Sequence, residues 1–301
     1  MRASIIIRTY NEERYLPQLL EAIEAQGGVV ETPDGAVELE HETILVDSGS
    51  TDRTVEIARG HGARIEHISR DRFSFGRSLN VGCQAARGEV LVFISGHCVP
   101  CDPGWLASLM APIARGTVTM AYGRQLGGEE TQLSEHQIFA KLYPEVSAIP
   151  QEGFFSNNAN AAVTREAWQR HRFDEELLGL EDMHLAKQLV AEGLAIGYVA
   201  SAAVYHYHHE SWAQVRRRYE REAIALQRIR PEWHLTFLDF LRYFVASVLH
   251  DSSRALSERC FLRHARKIVL FRLMQYWGSY RGNHEHRRLA EREKQKYFYP
   301  I

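Results

Sequence analysis

The stretch ILVDSGSTDRTVEIA (residues 44–58) decides how the rest of the chain is read. Three buried-type apolar residues run into Asp47, a small polar loop follows, and the apolar positions then take up helical spacing. Ser50 and Asp52 are of the type that caps a helix start. This is a β-to-α unit. The same order recurs in SIIIRTYNEE (4–13), which leads into Leu16, Leu19, Leu20 and Ile23, and in ARIEHI (63–68), followed by a helix expected over residues 76–86 and the apolar strand EVLVFIS. Between the first two units, residues 27–42 read as an inserted loop or hairpin around Pro33, Asp34 and Gly35. Alternation of this kind predicts an α/β fold, a mainly parallel sheet flanked by helices. Ligands of such sheets sit beyond the carboxyl ends of the strands, here RTYNEE, DSGSTD and SGHC.

With 301 residues, 45% of them hydrophobic, the chain can bury a large core. No apolar run approaches the roughly 20 residues that span a bilayer, and MRASIIIRTYNEE lacks a signal-peptide pattern, so a cytoplasmic protein is expected, with the inner membrane face as a place of work. Four cysteines are too few for a disulfide scaffold. Cys98 and Cys101 form a single C-x-x-C with no second pair to complete a zinc site, and read as ordinary buried thiols.

The net charge of -2 conceals a division. Residues 211–301 carry 19 Lys+Arg against 9 Asp+Glu, which leaves 17 against 29 in the part before them. Two regions are expected: 1–210, holding the sheet, and 211–301, basic and built from amphipathic helices. The apolar stripe of the second is read as core packing or a homodimer contact. Its positive balance fits an anionic membrane surface, while Asp239, Arg242 and His250 exclude insertion across the bilayer. No nucleic acid partner is expected.

Five segments in order, IIIRTYNEERYL (5–16), ILVDSGSTDRTVEIA, RSLNVGCQAARGEVLVFISGHC (77–98), FFSNNANAAVTREAW (154–168) with FDEELLGLED (173–182), and GLEDMHLAKQLVAEG (179–193), resemble the family 2 glycosyltransferases of GT-A fold. The resemblance covers about residues 3–210. It implies a nucleotide-sugar donor, UDP-, dTDP-, GDP- or CMP-linked, a glycan or glycolipid acceptor, and an inverting transfer in surface polysaccharide assembly. Such chemistry needs groups to hold the nucleotide, to neutralise its phosphates and to deprotonate the acceptor hydroxyl.

The candidate donor-site residues are Thr9, Tyr10 for stacking, Glu12 for ribose, Asp47 for a base N–H, Arg77 for phosphate and His97. Asp52 reads equally as a cap. By resemblance the second acid of the Glu181–Asp182 pair is the general base and Glu181 orients the acceptor; two adjacent carboxylates raise one another's pKa. Asn158 and Asn160, beside Phe154 and Phe155, offer amides suited to a carbohydrate.

Where relatives carry an Asp-x-Asp cluster that holds Mg²⁺ or Mn²⁺, this chain has Ser95, Gly96, His97 and Cys98. Hard cations prefer carboxylate oxygens. Three readings stand: a metal held by His97 with His206 and His208, a metal-free enzyme in which His97 or the stretch Arg216–Arg221 faces the leaving phosphate, or a silent nucleotide-sugar or glycan-binding protein. The metal-free reading is preferred because Glu181 and Asp182 are in place. A sugar nucleotidyltransferase shares the sheet, but its Gly-rich loop is absent.

Overall fold

The structure, a computed structural model, describes residues 1–285 and 297–298. It divides into two compact units. The first holds residues 1–128, 142–176 and 181–207; the second holds 129–141, 177–180 and those from 208 on. The second unit thus opens close to the expected boundary but also takes in two earlier segments that no shift in composition announces. The remainder of the expected 211–301 region, residues 286–296 and 299–301, lies outside the described residues.

The chain begins with β1 (Arg2–Thr9), α1 (Leu16–Glu24), the hairpin of β2 (Val29–Thr32) and β3 (Gly35–Glu38), and β4 (Glu40–Asp47). It continues through α2 (Thr54–Gly60), β5 (Arg64–His67), α3 (Phe75–Ala85), β6 (Val90–Ser95), β7 (Cys98–Pro100), α4 (Trp105–Ala114) and β8 (Met120–Gly127). After α5 (Leu133–Leu142), most of which belongs to the second unit, come β9 (Asn160–Thr164), α6 (Arg165–His171), α7 (Glu181–Ala191) and β10 (Ile196–His206).

Eight strands form one sheet in the order β5-β4-β1-β6-β9-β8-β10-β7. From β5 to β6 neighbouring strands run parallel; β9 lies antiparallel between β6 and β8, and β10 is parallel to β8 and antiparallel to β7. The α/β sheet read from the sequence is present, and its antiparallel strands fall in the stretch whose pattern is least regular. Ile5–Ile7, Ile44–Val46 and Val90–Ile94 are all buried, as continuous apolar runs must be when helices cover both faces. Helix α3 lies so close to the sheet that a Cβ on Gly82 would stand 2.5 Å from Ile6 Cγ2.

Register fixes the functional edge. Thr9 pairs with Asp47, Arg8 with Ser95, and Ile94 with Asn160. The carboxyl ends of β4, β1 and β6 and the start of β9 therefore meet at one end of the sheet.

In the second unit α8 (Trp212–Ile229), α9 (Phe237–Ser257) and α10 (Phe261–Asn283) follow one another. Capping boxes of Ser211 with Gln214 and Thr236 with Asp239 start the first two. Gly278 and Gly282 let α10 cross α8 at backbone distance: a Cβ on them would lie 2.3 Å from Arg216 O and 2.2 Å from Glu220 O. Arg272 donates to fully buried Asp251 at 2.7 and 2.9 Å and to the Ser134 carbonyl at 3.3 Å. A buried pair broken on one side leaves a charge uncompensated. Asp251→Ala is therefore expected to lower the unfolding free energy in urea by about 3–5 kcal/mol, against about 1 kcal/mol for loss of the exposed cap in Thr236→Ala.

Candidate active site

The loops after β1 and β4 are laced together. Asn11, at a φ of 57°, donates its N–H to Ser50 Oγ at 2.9 Å and accepts from Thr51 N at 2.8 Å. Glu12 N donates to Thr54 Oγ1 at 2.8 Å, and Ser48 Oγ to the Thr9 carbonyl at 3.0 Å. Asp52 accepts from Thr54 N and Glu13 N, and the hydrogen bonds of these groups outweigh burial to hold its carboxyl below the usual range. These bonds tie the loop ahead of α2 to the loop after β1, while the residue at the N-cap itself is Arg53, with no side-chain cap. Asp47 is buried and turned to its own loop, accepting from Gly49 N at 3.0 Å and Ser50 N at 3.2 Å. Tyr10 lies under the Arg70 guanidinium, 4.8 Å from ring centroid to Cζ, and its hydroxyl meets an Arg70 nitrogen.

At the end of β6 Gly96 leaves room for Glu12: a Cβ there would lie 2.8 Å from Glu12 Cγ. Glu12 Oε1 reaches His97 Nδ1 at 2.8 Å. The His97 ring stacks on that of His206 with centroids 5.1 Å apart, and His206 Nδ1 lies 2.7 Å from Gln125 Oε1. His208 belongs to the second unit, where its Nδ1 meets Glu135 at 2.8 Å. Glu12 is the carboxylate that His97 engages at this strand end, and the thiol of buried Cys98 is pushed well up by burial and by the Glu12 charge. These donors do not fit Mg²⁺, which takes carboxylate and water oxygens. Cys83 is buried as well, whereas Cys101 is exposed, contrary to the buried pair expected.

Asp182, in the first turn of α7, is 7% exposed. Its Oδ2 accepts from Asn158 N at 2.6 Å and its Oδ1 from Met183 N at 2.7 Å. Burial, with the Glu181 charge adding to it, drives the carboxyl up to about 7, against the pull of the two N–H groups and Arg8. Glu181 Oε1 lies 3.3 Å from Arg8 Nη1, and Arg8 sits over the Phe75 ring. The side chain of Asn158 is 4% exposed, and neither its Oδ1 nor its Nδ2 has a hydrogen-bond partner among the described residues. A buried amide left in that state is costly unless something else meets it.

Two expected site residues are committed elsewhere. Arg77 Nε donates to Glu175 at 2.7 Å and its Nη1 to the Arg72 carbonyl at 2.8 Å, while Gly76 packs against the Asp174 backbone. Asn160 accepts from Trp105 Nε1 at 2.9 Å and donates to the carbonyls of Ala202 at 2.8 Å and Arg124 at 3.1 Å. Both hold the scaffold. Of the Arg216–Arg221 stretch, Arg218 is engaged within the second unit by Glu135 at 2.8 Å and Glu210 at 2.7 Å. Arg8 is absent from the residues singled out in the sequence, although a cation closing the run III was a visible signal.

The model of the family described as Glycosyl transferase family 2 matches residues 4–173, more than half of the chain. The chain belongs to that family. An O-antigen chain rhamnosyltransferase of Salmonella typhimurium is 25% identical over 221 residues, 69% of this chain and 67% of the relative. A second, from Salmonella anatum, is 26% identical over 187 residues, 58% of this chain and 59% of the relative. Among solved structures, a mannosyltransferase of Pyrobaculum calidifontis in complex with GDP-Man and Mn²⁺ shares the fold, with a TM-score of 0.64 at 16% identity over 95% of this chain and 88% of that one. This family 2 glycosyltransferase accordingly has the GT-A type of sheet, and the nucleotidyltransferase reading is set aside.

The two asparagines separate by experiment. Asn160→Ala strands the indole N–H of Trp105 and two buried carbonyls, and is expected to destabilise the fold by about 2–4 kcal/mol in thermal or chemical unfolding. Asn158→Ala removes an amide with no protein partner and is expected to leave stability within about 1 kcal/mol while weakening turnover.

Proposed function

We propose that the chain is an inverting glycosyltransferase that moves a sugar from a nucleotide-sugar donor to a hydroxyl of a glycan or glycolipid in surface polysaccharide assembly, with Asp182 as general base. The observation that carries the reading is the buried Asp182 carboxyl, held by the Asn158 backbone N–H and set beside the Asn158 side-chain amide that no described residue meets. The O-antigen function of the two rhamnosyltransferases supports the setting.

In this reading the acceptor hydroxyl hydrogen-bonds to Asp182 and is positioned by the Asn158 amide. Asp182 takes the proton as the acceptor oxygen attacks the anomeric carbon, and the bond from that carbon to the phosphate oxygen breaks with its electrons leaving on the nucleotide. A single displacement inverts the anomeric configuration. Glu181 acts through its ion pair with Arg8, which sets the position of its neighbour. Thr9, Tyr10, Glu12 and Asp47 line the donor edge at the ends of β1 and β4. The imidazole of His97, oriented by Glu12, is the group that meets the leaving phosphate; protonated, it offers a charge-assisted hydrogen bond. No step is assigned to a metal, because the donor set at the end of β6 suits a phosphate partner better than a hard cation.

A carboxylate base is competent only when ionised, so kcat/KM is expected to rise with pH up to about 7 and to level off above it. Nucleotide release from UDP-, dTDP-, GDP- and CMP-linked sugars, followed against pH with and without chelator, reads this limb. Asp182→Asn is expected to cost on the order of 10³-fold in turnover while leaving nucleotide binding in place, and chelator to leave the rate unchanged. Turnover by Asp182→Asn at the parent rate removes the mechanism.

A further inference from the structure

Helix α9 has two apolar faces. One, with Phe240 and Ala255, is buried alongside the Asp251 carboxylate that pairs with Arg272. The other holds Leu238, Leu241, Val245, Leu249 and Leu256, which recur at helical intervals and stand 76%, 41%, 50%, 64% and 61% exposed. The stripe is extended at the start of α10 by Leu262, 94% exposed, and Val269. Of the readings open for the apolar stripe, core packing does not describe these side chains, which leaves a homodimer contact or a membrane surface for them. A run of large aliphatic side chains left in water is costly and marks a binding surface.

The charges around the stripe identify what binds. Arg242, Arg259, Arg263, Arg266 and Lys267 are all exposed. The acids of the same segment are engaged: Asp251 is buried against Arg272, Asp239 caps α9 through Thr236, and Glu258 pairs with Arg254 at 2.6 Å. The exposed surface is thus aliphatic along α9 and cationic about its C-terminal end and the first turns of α10. The acids of this segment that a second copy could offer these cations already have partners of their own, in Arg272, Thr236 and Arg254, whereas lipid phosphates complement the cations directly. None of the described helices is long and apolar enough to cross a membrane. An apolar stripe edged with cations on a helix that does not span is the pattern of an element lying in a lipid interface.

We propose that the exposed face of α9 and the start of α10 dock on an anionic lipid bilayer, the leucines and Val245 entering the acyl boundary while the arginines and Lys267 meet lipid phosphates. The inference goes beyond the chemistry assigned to Asp182 and does not depend on it. Cosedimentation of the full chain with vesicles of phosphatidylcholine, with and without phosphatidylglycerol, tests it. The chain is expected to bind the anionic vesicles and to be released by salt. Val245→Glu/Leu249→Glu is expected to abolish binding. Arg263→Ala/Arg266→Ala/Lys267→Ala is expected to weaken it on the order of 10²-fold, since each cation near an anionic surface contributes about fivefold. All these positions are exposed, so both variants should keep the parent's circular dichroism and melting temperature, and Asp182→Asn should bind vesicles like the parent. Equal partitioning into both vesicle types overturns the proposal. So does anionic-vesicle binding that Val245→Glu/Leu249→Glu leaves intact, or a solution dimer split by that variant in a chain that binds no vesicle.

Discussion

The ion pair between Arg8 and Glu181 is the constraint on which the site depends. Arg8 closes the buried run of β1 and lies over the Phe75 ring. A cation so placed needs an anion, and Glu181 in the first turn of α7 provides one at 3.3 Å. The contact registers α7 against the central strand, so the next residue, Asp182, is carried onto the backbone N–H of Asn158. Arg8 is directed at Glu181, which leaves burial as the dominant influence on Asp182. The position of the Asp182 carboxyl, the base in the proposed function, and its affinity for protons are both tied to this pairing.

The strand end without carboxylates fits the same logic. The end of β6 carries Ser95, Gly96, His97 and Cys98, and the space that Gly96 leaves is filled by Glu12 from the neighbouring strand's loop. The carboxylate at this edge comes from the loop after β1 and engages an imidazole. In the proposed function the Glu12–His97 pair is the group that meets the leaving phosphate. The loops that position Glu12 are held by backbone and hydroxyl hydrogen bonds from Asn11, Ser50 and Thr54, so the pair is supported from both strands.

Much of this architecture was legible in the sequence because buried parallel strands announce themselves: III, ILV and VLVFI each end in the polar loop that forms the edge. The Glu-Asp pair at the head of α7 was legible for the same reason, since a helix start with two acids is a local pattern. What was not legible depends on distant partners. The sequence does not show that the Asn160 amide is saturated by Trp105, Arg124 and Ala202 while the Asn158 side chain, two residues earlier, is left without a partner among the described residues; both read as loop amides suited to a carbohydrate. Arg77 pairs with Glu175 across a long stretch of chain, so its apparent freedom to reach a phosphate was an artefact of reading its own helix alone. In α9 the apolar spacing was read correctly as a helix, but periodicity cannot tell one buried face from two apolar faces of which only one is covered. Residues 129–141 and 177–180 join the second unit through packing that composition does not encode.

The central claim is that burial and a neighbouring charge poise Asp182 as a base near neutral pH. The most direct test is the pH dependence of kcat/KM in Glu181→Gln beside the parent chain. Removing the Glu181 charge deletes one of the two influences that raise the Asp182 pKa and frees Arg8 to favour its ionised form, so the account predicts that the acidic limb moves to lower pH. A limb with an unchanged midpoint in a folded, active Glu181→Gln would show that the titrating group is not Asp182 and would contradict the account.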